Sequence, residues 1–340
     1  MAAEPSGTDP RRREPVAGRP AARAAPSGGP SSAAQDRGIS VRGMEHTGVR
    51  TTRVGDVELA YETFGSAEDT PLLLVMGLAT QMIGWPDDFC RMLADRGHFV
   101  VRFDNRDIGL STHLHDAGAP DVLAVMGGDH SRVAYRLADM ADDTVGLLDA
   151  LGIESAHVVG ASMGGMIAQV MAIRHPERVR SLTSIMSTTG DPAVGSPAEA
   201  AMGVLLAPPA TDRDSALQRA VDTYRVIGSP GFEFDEAALR ERAGLSFDRA
   251  HDPAGVARQL AAILASPDRT ADLARVAVPT LVVHGEQDAL VNVSGGRATA
   301  AAIPGAELLV VDGMGHDLPR AVWPRIVDRI AALADRADGR

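Results

Sequence analysis

This sequence contains one cysteine and no lysine. Cys90 is the single cysteine among 340 residues, so no disulfide can form within the chain, and the redox compartment stays open with a reducing one favoured. The apolar neighbours of Cys90 on a predicted helix indicate a thiol in the core. All 33 basic residues are arginine, which we interpret as a genomic compositional bias without bearing on function.

Long hydrophobic runs are absent as well. The longest apolar stretch, around residues 72–76, falls far short of the roughly 18 residues that a bilayer-spanning helix needs. The net charge of -12 disfavours nucleic acid and anionic membranes, because both would repel the chain. We therefore expect a cytoplasmic protein with a small-molecule partner and neither nucleic acid nor membrane as a partner. No sequence feature indicates an oligomeric state.

The first 44 residues differ in composition from the rest. They are rich in proline, glycine, alanine, serine and arginine, and their few large apolar side chains cannot offset the entropy of ordering. We predict a disordered N-terminal extension over residues 1–44. The three arginines at 11–13 are typical of a twin-arginine export signal, but no Leu, Ile, Phe or Met follows within 14–30, so export is not expected. An alternative is that Met44 begins the natural product.

Beyond residue 50, short β-rich runs alternate with helical patterns. Apolar residues recur every three or four positions over 137–151, which predicts an amphipathic helix that ends near Gly152. Continuous apolar strands joined through helices imply a doubly wound, mainly parallel sheet covered on both faces, hence an α/β fold. The candidate strands are 57–63, 71–76, 99–103, 156–159, 182–186, 280–284 and 308–311.

The alternation stops over residues 191–274. This stretch predicts about three helices, including 216–227, 235–243 and 253–264, before the strand pattern resumes near Pro279. We expect a helical cap inserted into an α/β core formed by 45–190 and 275–340. Such a cap would cover the carboxyl edge of the sheet, where open α/β sheets bind ligands.

The run G-A-S-M-G at 160–164 fits the pattern G-x-S-x-G between a predicted strand and a predicted helix. This is the context of a nucleophile elbow, in which a sharp turn holds the serine in a strained conformation. Side chains at positions 160 and 164 would obstruct the close packing of that turn. We therefore predict that Ser162 is a nucleophile, with the amino end of the next helix directed at a developing oxyanion.

A serine nucleophile requires a base and an orienting acid, and both follow Ser162 in the expected order. Asp288 comes just after a predicted strand, and His316 follows the apolar run 308–311, so both lie on loops that can converge on Ser162. We favour Asp288 as the acid. The alternatives are a nearby carboxylate and the two acids that flank the histidine, which we interpret as solvated loop charges: Glu286, Asp312 and Asp317.

Other histidines carry weaker signals. We interpret His284 as a residue that packs at a strand end rather than as the base. His113 and His115 with Asp116 suggest a metal site, but two loop histidines without further spaced ligands are usually polar surface. We predict neither a metal nor a cofactor.

Together these segments resemble the α/β-hydrolase superfamily from about residue 50 to the C-terminus. The resemblance includes F-D-N-R-D-I-G-L-S at 103–111 and H-P-E-R-V at 175–179, besides the segments around Ser162, Asp288 and His316. Within that superfamily, V-M-G-L at 75–78 and G-W-P at 84–86 resemble bacterial serine esterases of the aclacinomycin methylesterase type, which cleave methyl esters of polyketide-like compounds. Many hydrolases have His-Gly after the third strand, where this chain has Met76-Gly77.

By this resemblance, the backbone N–H groups of Leu78 and Met163 form the oxyanion hole. We expect a serine hydrolase that cleaves a carboxylic ester of a small, largely apolar molecule through an acyl-enzyme. The alternatives are a C–C bond hydrolase or an acyltransferase with the same triad, and a capped ligand-binding protein with little turnover. Five methionines either line an apolar pocket or belong to the ordinary core: Met76, Met82, Met163, Met186 and Met202.

Overall fold

The sheet is described first, because it positions every candidate residue. A computed structural model describes residues 46–340, so the predicted extension over 1–44 and the arginines at 11–13 lie outside the described residues. Within 46–340, eight strands form one sheet in the order β1-β2-β4-β3-β5-β6-β7-β8. The strands are β1 (Arg50–Val54), β2 (Val57–Phe64), β3 (Thr70–Val75), β4 (His98–Phe103), β5 (Ala156–Ala161), β6 (Val179–Ile185), β7 (Thr280–Gly285) and β8 (Glu307–Val311).

The strand directions confirm the predicted doubly wound, mainly parallel sheet. β1 pairs with β2 and β2 with β4 in antiparallel fashion, whereas all pairs from β4 to β8 are parallel. β1 was not predicted, because its sequence R-T-T-R-V has one apolar residue and the strand lies at the exposed edge. The carboxyl ends of β3, β5, β7 and β8 all reach the same edge of the sheet.

Helices join and cover the strands. The predicted helices over 137–151, 216–227, 235–243 and 253–264 are confirmed as α3 (Leu137–Ala150), α6 (Arg213–Ile227), α7 (Glu236–Arg249) and α8 (Pro253–Leu264). Within 191–274, the short helices α5 (Glu199–Leu205) and α9 (Thr270–Leu273) were not predicted. None of the helices within 46–340 is both long and apolar enough to cross a membrane. The helices are α1 (Asp87–Ala94), α2 (Val122–Met126), α3 (Leu137–Ala150), α4 (Met163–Arg174), α5 (Glu199–Leu205), α6 (Arg213–Ile227), α7 (Glu236–Arg249), α8 (Pro253–Leu264), α9 (Thr270–Leu273), α10 (Val293–Ala302) and α11 (Trp323–Ala337).

Two apolar layers enclose the sheet. Alternate residues of β3 belong to different layers: Leu73 and Val75 pack with α3 and α4, and Leu72 and Leu74 pack with α1 and α11. This alternation follows from the period of two along a strand, and it explains why strands buried on both faces are apolar throughout. Cys90 is buried in the second layer, and its burial raises the pKa of the thiol to about 12, as expected for a core thiol.

Buried charge pairs attach the helices between β6 and β7 to the loop after β4. Arg249 on α7 donates to Asp104 at 2.6 Å, and Arg258 on α8 donates to Asp107 at 2.7 and 2.8 Å. Both carboxylates are fully buried. Burial raises the pKa of Asp104, although the neighbouring Arg249 opposes the shift. A buried charge without its partner is costly, so these pairs fix where the helices dock.

A pair of buried histidines lies away from that edge, near the start of the parallel strands. His98 begins β4, and its ring lies 5.8 Å from the ring of His157 on β5. His157 has one ring nitrogen 2.9 Å from the hydroxyl of Ser181. Burial lowers the pKa of His157 from 6.5 to about 4 and also lowers the pKa of His98. His157 is therefore neutral in the folded protein near pH 6.

We predict that His157 makes the fold sensitive to acid. Its folded pKa lies below its unfolded value of 6.5, so the unfolded state binds more protons as the pH falls from 6.5 towards 4. The neutral ring contributes to the free energy of unfolding above pH 6.5. This contribution, on the order of 3 kcal/mol, is lost as the pH falls through that window. Urea unfolding of His157→Gln at several pH values should give a flatter dependence than that of the wild type. The exposed His251 supplies the control His251→Gln, and an equal flattening in both variants would contradict the prediction.

Candidate active site

Ser162 occupies the sharp turn between β5 and α4. Its φ is 56° and its ψ is -122°, a conformation that L-residues seldom adopt and that costs about 1 kcal/mol or more. The Ser162 N–H donates to the carbonyl of Ile185 on the neighbouring strand β6 at 2.9 Å. The serine is therefore held at the carboxyl edge of the sheet, at the amino end of α4.

Two glycines make this turn possible. A Cβ on Gly160 would lie 2.1 Å from the carbonyl oxygen of Gly164, and a Cβ on Gly164 would lie 2.1 Å from the carbonyl oxygen of Val75. Both distances are far below van der Waals contact with backbone atoms that cannot move aside. The G-x-S-x-G spacing is thus a packing requirement of this strand-turn-helix unit.

The loops after β7 and β8 bring two further side chains to Ser162. His316 Nε2 lies 3.0 Å from Ser162 Oγ, and His316 Nδ1 lies 2.7 Å from Asp288 Oδ2. The other carboxylate oxygen of Asp288 accepts the N–H groups of Leu290 and Val291, each at 2.9 Å. Asp288 is thereby fixed in orientation, and the three side chains form one hydrogen-bonded chain. With the proton of His316 on Nδ1, its Nε2 is available to accept the Ser162 proton.

The rival carboxylates are engaged elsewhere. Glu286 is exposed and pairs with Arg297 at 2.8 Å, and Asp312 accepts from the side chain of Gln287 at 3.0 Å. Asp317 accepts from the hydroxyl of Ser229, and burial raises its pKa. The expectation that Asp317 is a solvated loop charge is therefore wrong. Its hydrogen bond with Ser229 joins the loop that carries His316 to the segment after α6.

His284 is buried at the end of β7. Its Nε2 donates to the carbonyl of Val291 at 2.7 Å, and burial lowers its pKa. The same nitrogen lies 3.5 Å from Asp288 Oδ2. The structure thus places His284 in packing at the strand end, as predicted.

His113 and His115 gather around Asp252 rather than Asp116. His113 Nδ1 lies 2.8 Å from Asp252 Oδ2, and His115 Nδ1 lies 3.8 Å from the same oxygen. Arg258 places a guanidinium nitrogen 3.3 Å from that oxygen, and this positive charge disfavours a metal cation. His113 is largely buried and joins the loop after β4 to the start of α8, which corrects its assignment to polar surface.

The backbone around Ser162 presents two N–H groups. Within residues 46–340, neither the Leu78 N–H nor the Met163 N–H has a protein acceptor. A Cβ on Gly77 would lie 2.9 Å from Ser162 Cβ, so the turn that carries Leu78 runs directly beside the serine. Unpaired N–H donors next to a serine hydroxyl are the groups that could stabilise an oxyanion there.

The five methionines do not share one environment. Met76, Met82, Met163 and Met186 are buried, and Met202 on α5 is half-buried. Met76 and Met186 belong to the apolar layer around α1 and α11, and Met163 belongs to the layer around α3 and α4. Most of the set is therefore part of the core.

Sequence reasoning missed the side chains that hold the Leu78 turn. Gln259 on α8 accepts the Ala79 N–H at 3.1 Å, and Gln81 contacts Arg249 on α7 at 2.7 Å. The sequence contains one signal for these contacts: Arg258 and Gln259 interrupt the apolar pattern of α8. In the structure both side chains are buried. Helical periodicity identifies such residues but gives no information about their partners.

Comparison with known proteins identifies the family of this chain. Residues 70–319 match the alpha/beta hydrolase fold family. A rhodomycin D methylesterase of Streptomyces sp. (strain C5) is 32% identical over 298 residues, which cover 82% of this chain and 95% of that protein. The rhodomycin D methylesterase of Streptomyces peucetius is 31% identical over the same coverage of 82% and 95%. These two relatives confirm the closer resemblance to methylesterases.

Solved structures give the same fold. The enol-lactonase of Burkholderia xenovorans LB400 matches with a TM-score of 0.64 at 22% identity, covering 86% of this chain and 100% of that chain. A likeness at this identity concerns the fold alone. On the extent of the family match and the identity to the two methylesterases, the chain belongs to the alpha/beta hydrolase fold family.

Proposed function

We propose that this protein is a serine hydrolase that cleaves a carboxylic ester through Ser162, His316 and Asp288. The observation that carries the proposal is the unbroken hydrogen-bonded chain from Ser162 Oγ to His316 at 3.0 Å and from His316 to Asp288 at 2.7 Å. The strained backbone of Ser162 at the amino end of α4 supports it, because that position faces the partial positive charge of a helix.

The mechanism is acyl transfer in two steps. Ser162 Oγ attacks the ester carbonyl while His316 Nε2 takes its proton, and the N–H groups of Leu78 and Met163 stabilise the oxyanion. His316 then gives the proton to the leaving alcohol. Water activated by His316 attacks the acyl-enzyme and releases the acid. Asp288 holds the His316 tautomer and stabilises the imidazolium in both steps.

The substrate class is a methyl ester of a small, largely apolar molecule. The two relatives named rhodomycin D methylesterases support this class. Each is about a third identical to this chain, and the alignment covers 95% of each relative. The helices within 191–274 form a cap over the site in this proposal. Their contacts with the site support it, since the His316 N–H donates to the carbonyl of Ile227 at 2.7 Å and Gln259 accepts the Ala79 N–H.

Removing the Ser162 hydroxyl should abolish hydrolysis. We expect Ser162→Ala and His316→Ala to lower kcat for p-nitrophenyl acetate and butyrate by about 1,000-fold or more, because either change removes the nucleophile or its base. Methanol release from rhodomycin D measures the same loss on a methyl ester. A fluorophosphonate should label Ser162 in the wild type and leave Ser162→Ala unlabelled, with unchanged circular dichroism as the folding control.

The alternatives predict different outcomes in the same assays. Wild-type protein that neither turns over esters nor reacts with the fluorophosphonate would contradict the nucleophile, and a ligand-induced thermal shift would then favour a binding protein. Transfer of the acyl group to an added alcohol in preference to water would favour an acyltransferase. Cleavage of a vinylogous diketone faster than any ester would favour a C–C bond hydrolase.

The identity of the acid is tested by a matched pair of substitutions. In Asp288→Asn, the side-chain amide presents either an N–H donor or a weaker oxygen acceptor to His316 Nδ1. The ring then no longer favours the tautomer with its proton on Nδ1, which is the tautomer that can accept the Ser162 proton. We expect kcat to fall by about 10,000-fold with KM little changed. Glu286→Gln, two residues away on the same loop, should keep wild-type kcat, because Glu286 is exposed and pairs with Arg297. A larger loss in Glu286→Gln than in Asp288→Asn would overturn the assignment.

A further inference from the structure

The turn at residues 76–82 carries Leu78 beside Ser162 but has little hydrogen bonding of its own. Its internal bonds run from the Thr80 N–H to the Gly77 carbonyl at 3.4 Å and from the Thr80 hydroxyl to the Leu78 carbonyl at 3.1 Å, and neither engages the Leu78 or Ala79 N–H. Ala79 has a φ of 58°, a left-handed conformation that a residue with a Cβ adopts at a cost. The shape of this turn therefore depends on groups outside it.

The loop after β4 holds both ends of the turn. The side chain of Asn105 donates to the carbonyl of Met76 at 2.9 Å, and the Met82 N–H donates to Asp104 at 2.6 Å. Neither contact reaches the Ala79 N–H at the centre of the turn. That group is held by another part of the chain.

Gln259 of α8 holds the centre. Its Oε1 accepts the Ala79 N–H at 3.1 Å, and its Nε2 donates to the carbonyl of Arg106 at 2.8 Å. Gln259 is fully buried, so water does not replace either bond. A flipped amide would place its oxygen against the Arg106 carbonyl and its nitrogen against the Ala79 N–H. The two contacts therefore fix the orientation of the amide.

A second contact from the same helical segment supports the first. Gln81 is buried in the turn, and its Nε2 donates to the carbonyls of Ser246 and Ala250 at 2.7 and 3.2 Å. Its Oε1 accepts from Arg249 at 2.7 Å, and Arg249 also pairs with Asp104. Two side-chain amides thus clamp the turn between the core and α7–α8.

We propose that Gln259 is a positioning residue for ester hydrolysis: its amide holds Ala79 so that the adjacent Leu78 N–H faces Ser162. This inference rests on the proposed function, which gives the Leu78 N–H to the oxyanion. It assigns the helical segment a part in stabilising the transition state, beyond covering the substrate. Since Gln259 does not touch the reacting atoms, its removal affects catalysis through the position of a donor.

The test compares Gln259→Met with Gln218→Met. Gln218 on α6 also makes two side-chain hydrogen bonds, to Asp222 and Arg240, but both stay within the helical segment. We expect Gln259→Met to lower kcat for p-nitrophenyl butyrate about tenfold to a hundredfold with KM within about twofold, because small misplacement of a catalytic group costs this much. A trifluoromethyl ketone, which forms a tetrahedral adduct with the serine, should lose affinity in proportion to kcat/KM. Gln218→Met should match the wild type in both measurements.

Hydrogen exchange separates this inference from the proposed function, because it needs no turnover. Amides of residues 78–82 should exchange faster in Gln259→Met than in the wild type, whereas peptides of β5 and α4 remain unchanged. Unchanged exchange in the turn, or faster exchange with unchanged kcat, would overturn the positioning role. A wild type without esterase activity and without fluorophosphonate labelling would instead overturn the proposed function.

If Gln259→Met fails to fold, Gln81→Met removes the second amide from the side of the turn. It should produce the same loss of kcat and the same faster exchange in residues 78–82. The inference would be contradicted if Gln81→Met folds, shows faster exchange in residues 78–82 and still has the kcat of the wild type.

Discussion

The contact between the first turn of α4 and the end of β3 is the constraint on which the rest of the site depends. Gly164 packs so closely on the carbonyl of Val75 that no Cβ fits between them. This approach fixes the direction in which α4 leaves the sheet and forces Ser162 into its strained conformation. It also sets the start of α4 beside the turn that follows β3. One packing contact therefore brings Ser162, the amino end of α4 and the Leu78 turn to a common point.

The strained serine needs partners that arrive from the far end of the chain. The parallel order β5-β6-β7-β8 delivers them, because successive strands end at the same edge and their loops lie side by side. The histidine loop is also held from the helical side, since the His316 N–H donates to Ile227 and the Gly315 N–H donates to Ser229. Residues 191–274 thus contact both the loop that carries His316 and the turn that carries Leu78.

The sequence was sufficient to predict seven of the eight strands in residues 46–340 and the hydrogen-bonded chain of Ser162, His316 and Asp288. Strand ends in a parallel sheet share an edge, so a glycine-flanked serine, Asp288 and His316 on loops after apolar runs had to lie near one another. β1 escaped prediction because a half-exposed edge strand with the sequence R-T-T-R-V lacks the apolar signal of a buried strand. Asp317 and His113 were assigned to the solvated surface because local polarity gives no sign of burial by a distant segment.

The contacts of Gln259, Arg249 and Arg258 were out of reach for a related reason. Each joins residues more than a hundred positions apart, and helical periodicity specifies a face without specifying what covers it. Apolar packing alone would let α7 and α8 slide over the sheet at small cost. A buried guanidinium that loses its carboxylate, or a buried amide that loses its backbone partner, costs much more. Polar contacts at this boundary therefore specify one docked position, and a donor placed next to Ser162 requires such a position.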